Sequence, residues 1–186
     1  DQWMESIGIP IHKGYFLDDL RTLELGWWEE RQCQAAFIQL MGQEGITEAR
    51  VTEIAPGKTL PPVKFALDET VYVVEGRGLT TVWPGKDKPK KSFEWQTSSL
   101  FMIPHNFWYQ FSNMQGDKPV RLLQYNFLPL SLSGVREPDF LFNNPYETRD
   151  FTSEEADLYS SAEVIKDDYS PLGFNWKGNF FPDMKA

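Results

Sequence analysis

Between residues 34 and 127 short runs of strand-forming residues alternate with turn signals at close spacing, which points to an antiparallel barrel or sandwich rather than a parallel sheet. Strands are predicted over residues 34–40, 49–54, 69–75, 79–83, 92–95, 100–103, 107–112 and 120–127. The turns between them fall at Pro56-Gly57, Gly76-Arg77-Gly78, Pro84-Gly85 and Gln115-Gly116-Asp117, where glycine supplies φ freedom or proline fixes φ. Residues 69–83 read as a hairpin with Gly76-Arg77-Gly78 at its tip.

The flanks read differently. The length of 186 residues suits a single domain, 1–186, built as an arm (1–33), a barrel (34–127) and a tail (128–186). In the arm, Gly26-Trp27-Trp28 is expected to close against the barrel. The tail holds Asn143-Asn144-Pro145, a capping-box pattern Thr152-Ser153-Glu154-Glu155 that predicts a short helix, and an aromatic stretch from Phe174 to Phe181. Such a tail is too apolar for plain disorder and is expected to wrap the barrel or a partner subunit.

Charge narrows the partners. Net charge is -9, and residues 137–186 carry 11 acids against 4 bases, so nucleic acid is not an expected partner. The Lys86, Lys88, Lys90 and Lys91 cluster lies in a Pro-containing turn and reads as a solvated loop tip. A lone Cys33 excludes an intramolecular disulfide and fits a reducing compartment. No apolar stretch is long enough for a membrane-spanning helix, and the first residues lack signal-peptide features; a cytoplasmic location with no membrane partner is expected. Aromatic residues make up 15% of the chain, more than an ordinary core needs, so some rings are expected to line a cavity.

Two spacings are specific. Gly57, Val63, Phe65, Glu69 and Gly76 are separated by five, one, three and six residues; Ser98, Pro104, Asn106, Tyr109 and Asn113 by five, one, two and three. In order and spacing these segments resemble the two motifs of a single-domain cupin. The resemblance covers about residues 34–127 and implies an all-β, cupin-type antiparallel jelly-roll barrel with a central pocket, here carrying an N-terminal arm and a partly helical C-terminal tail. In that family the positions aligned with Val63, Phe65 and Tyr109 are histidines that hold a divalent metal together with the glutamate aligned with Glu69. Three of those four ligands are replaced in this chain, and Val and Phe cannot donate to a metal. No cofactor is expected on the inherited ligands, while a rearranged set of Glu69 with His12 or His105 stays open as a divalent-metal site.

Strand alternation sketches the pocket. With Glu69 inward, Val71 faces inward too, Phe107 and Phe111 share the face of Tyr109, and Val63 shares that of Phe65. Arg50, Arg121 and Gln124 lie on neighbouring strands whose register the sequence leaves open. An acid among apolar rings should have a raised pKa, suited to proton transfer near neutral pH. Three functions follow. The first is a metal-independent lyase or isomerase acting on a small oxygenated, partly apolar molecule, with Glu69 as acid/base, Tyr109 donating to the substrate and His12 or His105 as a second proton carrier. The second is a non-catalytic small-molecule-binding cupin, in which Glu69 is a satisfied buried acid. The third is a metal-dependent dioxygenase or lyase with rearranged ligands. By the same resemblance, the Trp-rich arm and aromatic tail suggest a homodimer.

Overall fold

The computed structural model describes residues 2–149, 155–160 and 162–185. Its strands form two sheets that face each other across a common core. The larger sheet is built on β1 (Ile11–Gly14), β2 (Gly26–Trp28), β3 (Cys33–Leu40), β4 (Glu48–Ile54), β6 (Glu69–Glu75), β9 (Leu100–Ile103), β11 (Val120–Asn126) and β14 (Phe180–Phe181), with β5 (Val63–Lys64), β7 (Arg77–Trp83), β8 (Lys91–Gln96) and β10 (Trp108–Asn113) in the smaller one. A separate two-stranded ribbon joins β12 (Glu163–Lys166) to β13 (Phe174–Lys177).

The order of pairing defines the architecture. In the larger sheet β4, β11, β6 and β9 lie side by side; in the smaller, β5, β10, β7 and β8 do. Between β4 and β11 the chain crosses from sheet to sheet at every connection except β7 to β8, which is the jelly-roll path. All of these pairings are antiparallel; among the described residues the one parallel pair is β1 on β3, where the arm adds to the barrel edge.

The expected hairpin over residues 69–83 does not form. β6 pairs with β11 and β9, while β7 pairs with β10 and β8, so Gly76-Arg77-Gly78 is a corner between sheets. Gly76 takes φ +106, and a Cβ there would lie 2.6 Å from Val120 Cγ2. At Gly78 a Cβ would lie 2.3 Å from both the Ser112 carbonyl oxygen and the Trp95 ring. Local turn chemistry is the same for a hairpin and a corner; the partner strands decide which forms.

The core between the sheets is aliphatic and aromatic, with Phe37, Val71, Val73, Phe101, Phe107 and Leu122 almost wholly buried. A smaller cluster holds Phe65 with Leu128 of α2 (Leu128–Gly134) and Leu141 of α3 (Pro138–Phe142). A first helix, α1 (Gln2–Ile7), places Trp3 against Phe142, with ring centroids 5.4 Å apart. The predicted helix opening at Thr152-Ser153-Glu154-Glu155 falls mostly outside the described residues. The end of the chain returns to the barrel: β14 pairs with β9, Ser99 Oγ donates to the Pro182 carbonyl at 2.6 Å, and Met184 N donates to the Ser98 carbonyl at 2.8 Å. No helix among the described residues is long and apolar enough to cross a membrane.

Candidate functional site

On the inner face of the larger sheet three neighbouring strands present polar side chains where apolar ones would be the rule. β4 contributes Glu48, Arg50 and Thr52; β11 contributes Gln124 and Asn126; β6 contributes Glu69. Register aligns Arg50 with Gln124 and Glu48 with Asn126, so the alternation of each strand points the set to one side. All six are buried, Glu48 at 0% and Glu69 at 1% exposure. Tyr109 reaches the set from β10 of the opposite sheet.

Burial on this scale requires every charge to be matched. Arg50 Nη1 donates to both Glu48 oxygens at 2.7 Å, and Nη2 donates to Glu69 Oε2 at 2.7 Å. Glu69 Oε1 accepts from Gln124 Nε2 at 2.5 Å and from the Tyr109 hydroxyl at 3.0 Å. Asn126 Nδ2 donates to Glu69 Oε2 at 3.1 Å and also to Glu48, while its Oδ1 accepts from the Leu128 N–H. Gln124 is itself fixed by Thr52, whose hydroxyl donates to Gln124 Oε1 at 2.6 Å. Two carboxyls thus share one guanidinium, and Glu69 accepts four hydrogen bonds from four side chains.

That arrangement reverses the expected titration of Glu69. Burial pushes its pKa up, but Arg50 and the donors on Gln124, Asn126 and Tyr109 outweigh burial and hold it below the ordinary 4.5. Glu48 goes the other way. Its burial prevails over the attraction of Arg50, and the neighbouring Glu69 charge adds to the rise above 4.5. Burial and the adjacent Glu69 also raise the Tyr109 phenol, so it stays protonated and donates.

In front of this cluster lies a cavity of about 30 Å³, walled by Arg50, Thr52, Val63, Tyr109, Phe111 and Gln124 among others. It has room for roughly one water. Trp28, Arg31 and Val63 belong both to its wall and to that of a wider pocket of about 400 Å³ at the barrel mouth. Arm and tail complete that mouth: Trp3 and Ile7 come from α1, and Asp139 and Phe142 from α3.

Of the sequence-predicted residues, the structure brings together Glu69, Tyr109, Arg50, Gln124, Val63 and Phe111. The others stand elsewhere. Phe65 packs in the second cluster, 5.3 Å from the ring of Phe142, rather than sharing the pocket with Val63. Val71 and Phe107 are core residues and do not line the cavity. Arg121 faces outward, bonded to Glu53 at 2.6 Å and to the Leu20 and Leu23 carbonyls of the arm. His12 sits on the edge strand β1 with its Nε2 2.8 Å from the Glu24 carbonyl oxygen, and His105 lies in the turn before β10 beside Asp68. Neither histidine lines the cavity, so neither is placed as a proton carrier for it.

Sequence reasoning missed Glu48, Asn126, Thr52, Trp28 and Arg31. The signal was present for the first three, since Glu48-x-Arg50-x-Thr52 and Gln124-x-Asn126 put polar residues at period two in central strands. Trp28 and Arg31 flank the tight turn between β2 and β3, and only the folded arm carries them to the barrel.

The donor set does not fit the metal that the cupin resemblance implies. Val63 and Phe65 offer no donor atom, Glu69 is committed to four side chains, and the Arg50 guanidinium holds the positive charge beside it. Among the described residues no group of three or more His, Cys, Asp or Glu is placed to hold a metal ion.

No protein-family model matches the chain, and no curated protein matches it. Solved structures do resemble it. The cupin domain of Cnp3 from Schizosaccharomyces pombe is 19% identical over 62% of this chain and 77% of its own, with a TM-score of 0.48. Oxalate decarboxylase from Lactobacillus farciminis, in a formate complex, is 20% identical over 58% of this chain and 32% of its own, with a TM-score of 0.48. Vicilin from Solanum lycopersicum (tomato) is 13% identical over 51% of this chain and 28% of its own, with a TM-score of 0.45. The match therefore spans about a third or less of the decarboxylase and vicilin chains. From the order of its own strands and the place of its two motif segments on them, the fold of this chain is a cupin-type jelly roll.

Proposed function

We propose that the chain is a binding module for a small oxygenated, partly apolar molecule seated at the barrel mouth, with the Glu48–Arg50–Glu69 cluster as its rigid floor. The observation that carries this reading is the saturation of Glu69. A general acid needs a proton to give and a general base a free lone pair near the substrate. Glu69 is held ionised, with both oxygens accepting from buried neighbours, and the cavity of about 30 Å³ is walled by its partners Arg50, Tyr109 and Gln124, with Glu69 itself behind them. A substrate has no room beside it. A mouth pocket of about 400 Å³ with Trp3, Trp28, Trp108 and Phe142 on its wall suits an apolar body instead.

The test is calorimetric titration with a panel of small carboxylic acids, alcohols, amides and sugars, with mass spectrometry of each mixture after incubation. Saturable binding with the compounds recovered unchanged, and retained in Glu69→Gln, is the expected result. Conversion of a panel compound that is lost in Glu69→Gln would make the chain an acid/base enzyme and overturn the proposal.

A further inference from the structure

The mouth pocket contains more than apolar walls. Its two cations, Arg31 and Lys64, are half-buried, whereas its two acids, Glu30 and Asp139, are exposed at the rim. Exposed charges are screened by water and salt, so the half-buried cations dominate the field inside. Arg31 has no carboxylate partner among the described residues; its guanidinium lies over the Trp28 ring, 5.4 Å from the centroid. A contact with the ring commits no guanidinium N–H to a carboxylate, so the N–H groups remain for a bidentate acceptor. Lys64 Nζ donates to the Asn144 carbonyl and meets no carboxylate among the described residues.

A second observation is independent of charge. Trp28 is 5% exposed, and its indole N–H is buried with no acceptor among the described residues. Buried donors are nearly always paired, and Trp28, which carries this orphan, is a wall residue of both the small cavity and the mouth pocket, where a ligand could bring an acceptor. The inner end of the mouth, where Trp28, Arg31 and Val63 meet the small cavity, is therefore rich in donors beside apolar surface.

Resting on the binding reading above, we infer that the mouth pocket takes a small monocarboxylic acid with an aromatic or branched apolar body, its carboxylate on Arg31. The body lies between Trp3 and Phe142 on one side and Trp108 on the other. A phosphate or dicarboxylate fits less well, since the pocket wall carries one guanidinium and the rim acids repel a second charge.

The experiment uses 3-phenylpropionate with 3-phenylpropionamide, and hexanoate with hexanamide, titrated calorimetrically into the intact chain, into Arg31→Gln and into Arg31→Lys. Each acid should bind at least tenfold more tightly than its amide. That preference should vanish in Arg31→Gln and be partly kept in Arg31→Lys, with unchanged far-UV circular dichroism. Equal binding of acid and amide, or an acid preference that survives Arg31→Gln, overturns the ligand class and leaves the binding reading standing. Binding by none of the four probes overturns the inference, and the wider panel then decides whether the binding reading falls with it. Conversion of a bound acid would sink the non-catalytic reading alone. Because the acid–amide comparison is made on the unaltered chain, a misfolded variant does not remove the test.

Discussion

Arg50 is the residue on which the interior depends. It is the single guanidinium between two buried carboxyls, so Arg50→Met leaves Glu48 and Glu69 facing each other without a counter-charge. Breaking a buried ion pair from one side costs about 3–5 kcal/mol, and that loss is expected for this variant in denaturant unfolding. The two glutamates should separate by pH. Glu69 has a folded pKa below its ordinary 4.5, so the stability it contributes is present above 4.5 and is lost as pH falls through the lower folded value. Glu48 has a folded pKa above 4.5, so its contribution is complete below 4.5 and is lost as pH rises through the higher folded value. Unfolding free energy measured across pH should therefore lose part of its acid-side fall in Glu69→Gln and part of its fall above 4.5 in Glu48→Gln. Matching profiles for the two variants would contradict this division.

Elements show why the glycines of the β6–β7 connection are where they are. At Gly76 an alanine meets both a positive φ and Val120, and at Gly78 it meets a backbone carbonyl that cannot swing away. Gly76→Ala is expected to cost about 1–3 kcal/mol, measured by urea unfolding, and Gly78→Ala more. These residues also mark how far sequence reading reaches. Strand positions were legible because apolar alternation and turn residues are local: the 69–75 and 100–103 segments agree with β6 and β9. Strand partners were not, because a corner and a hairpin use the same residues and differ only in what lies across from each strand. The same gap hid half of the site. Glu69 and Tyr109 were legible from motif spacing, but the neighbours of Glu69 come through the register of β4 against β11, which fixes whether Arg50 or Arg121 faces inward. That register turns Arg50 in and sends Arg121 out to Glu53. The expected rise in the Glu69 pKa followed from burial, and it is reversed by Arg50 together with the donors on Gln124, Asn126 and Tyr109, which only the register brings to the carboxyl.

Arm and tail both join the larger sheet of the barrel. The arm supplies β1 and β2 to the larger sheet and Trp3 to the mouth, and the tail supplies β14 to the opposite edge. Covering an edge strand removes unpaired backbone groups that would otherwise invite association. The seal is aromatic: Phe93 stacks on Tyr159 at 3.8 Å, meets Phe101 at 5.0 Å and Phe180 at 5.5 Å, and the Tyr159 hydroxyl donates to the Met102 carbonyl. Phe93→Ala removes the centre of that cluster and should cost about 3–5 kcal/mol. Limited proteolysis should then cut first in the tail, with release of residues after 155. A Phe93→Ala chain as stable and as resistant as the parent would show that the tail is not held by these rings.

On the proposed binding function, Glu69 is an ionised structural anchor and not a proton donor. The most direct test of this is the carboxyl ¹³C titration of Glu69 in glutamate-labelled protein, assigned by comparison with Glu69→Gln. A midpoint below 4.5, with no further Glu69 transition toward neutrality, is the predicted result. A midpoint between pH 6 and 8, roughly where a carboxyl serves as a general acid, would contradict it and return Glu69 to catalysis.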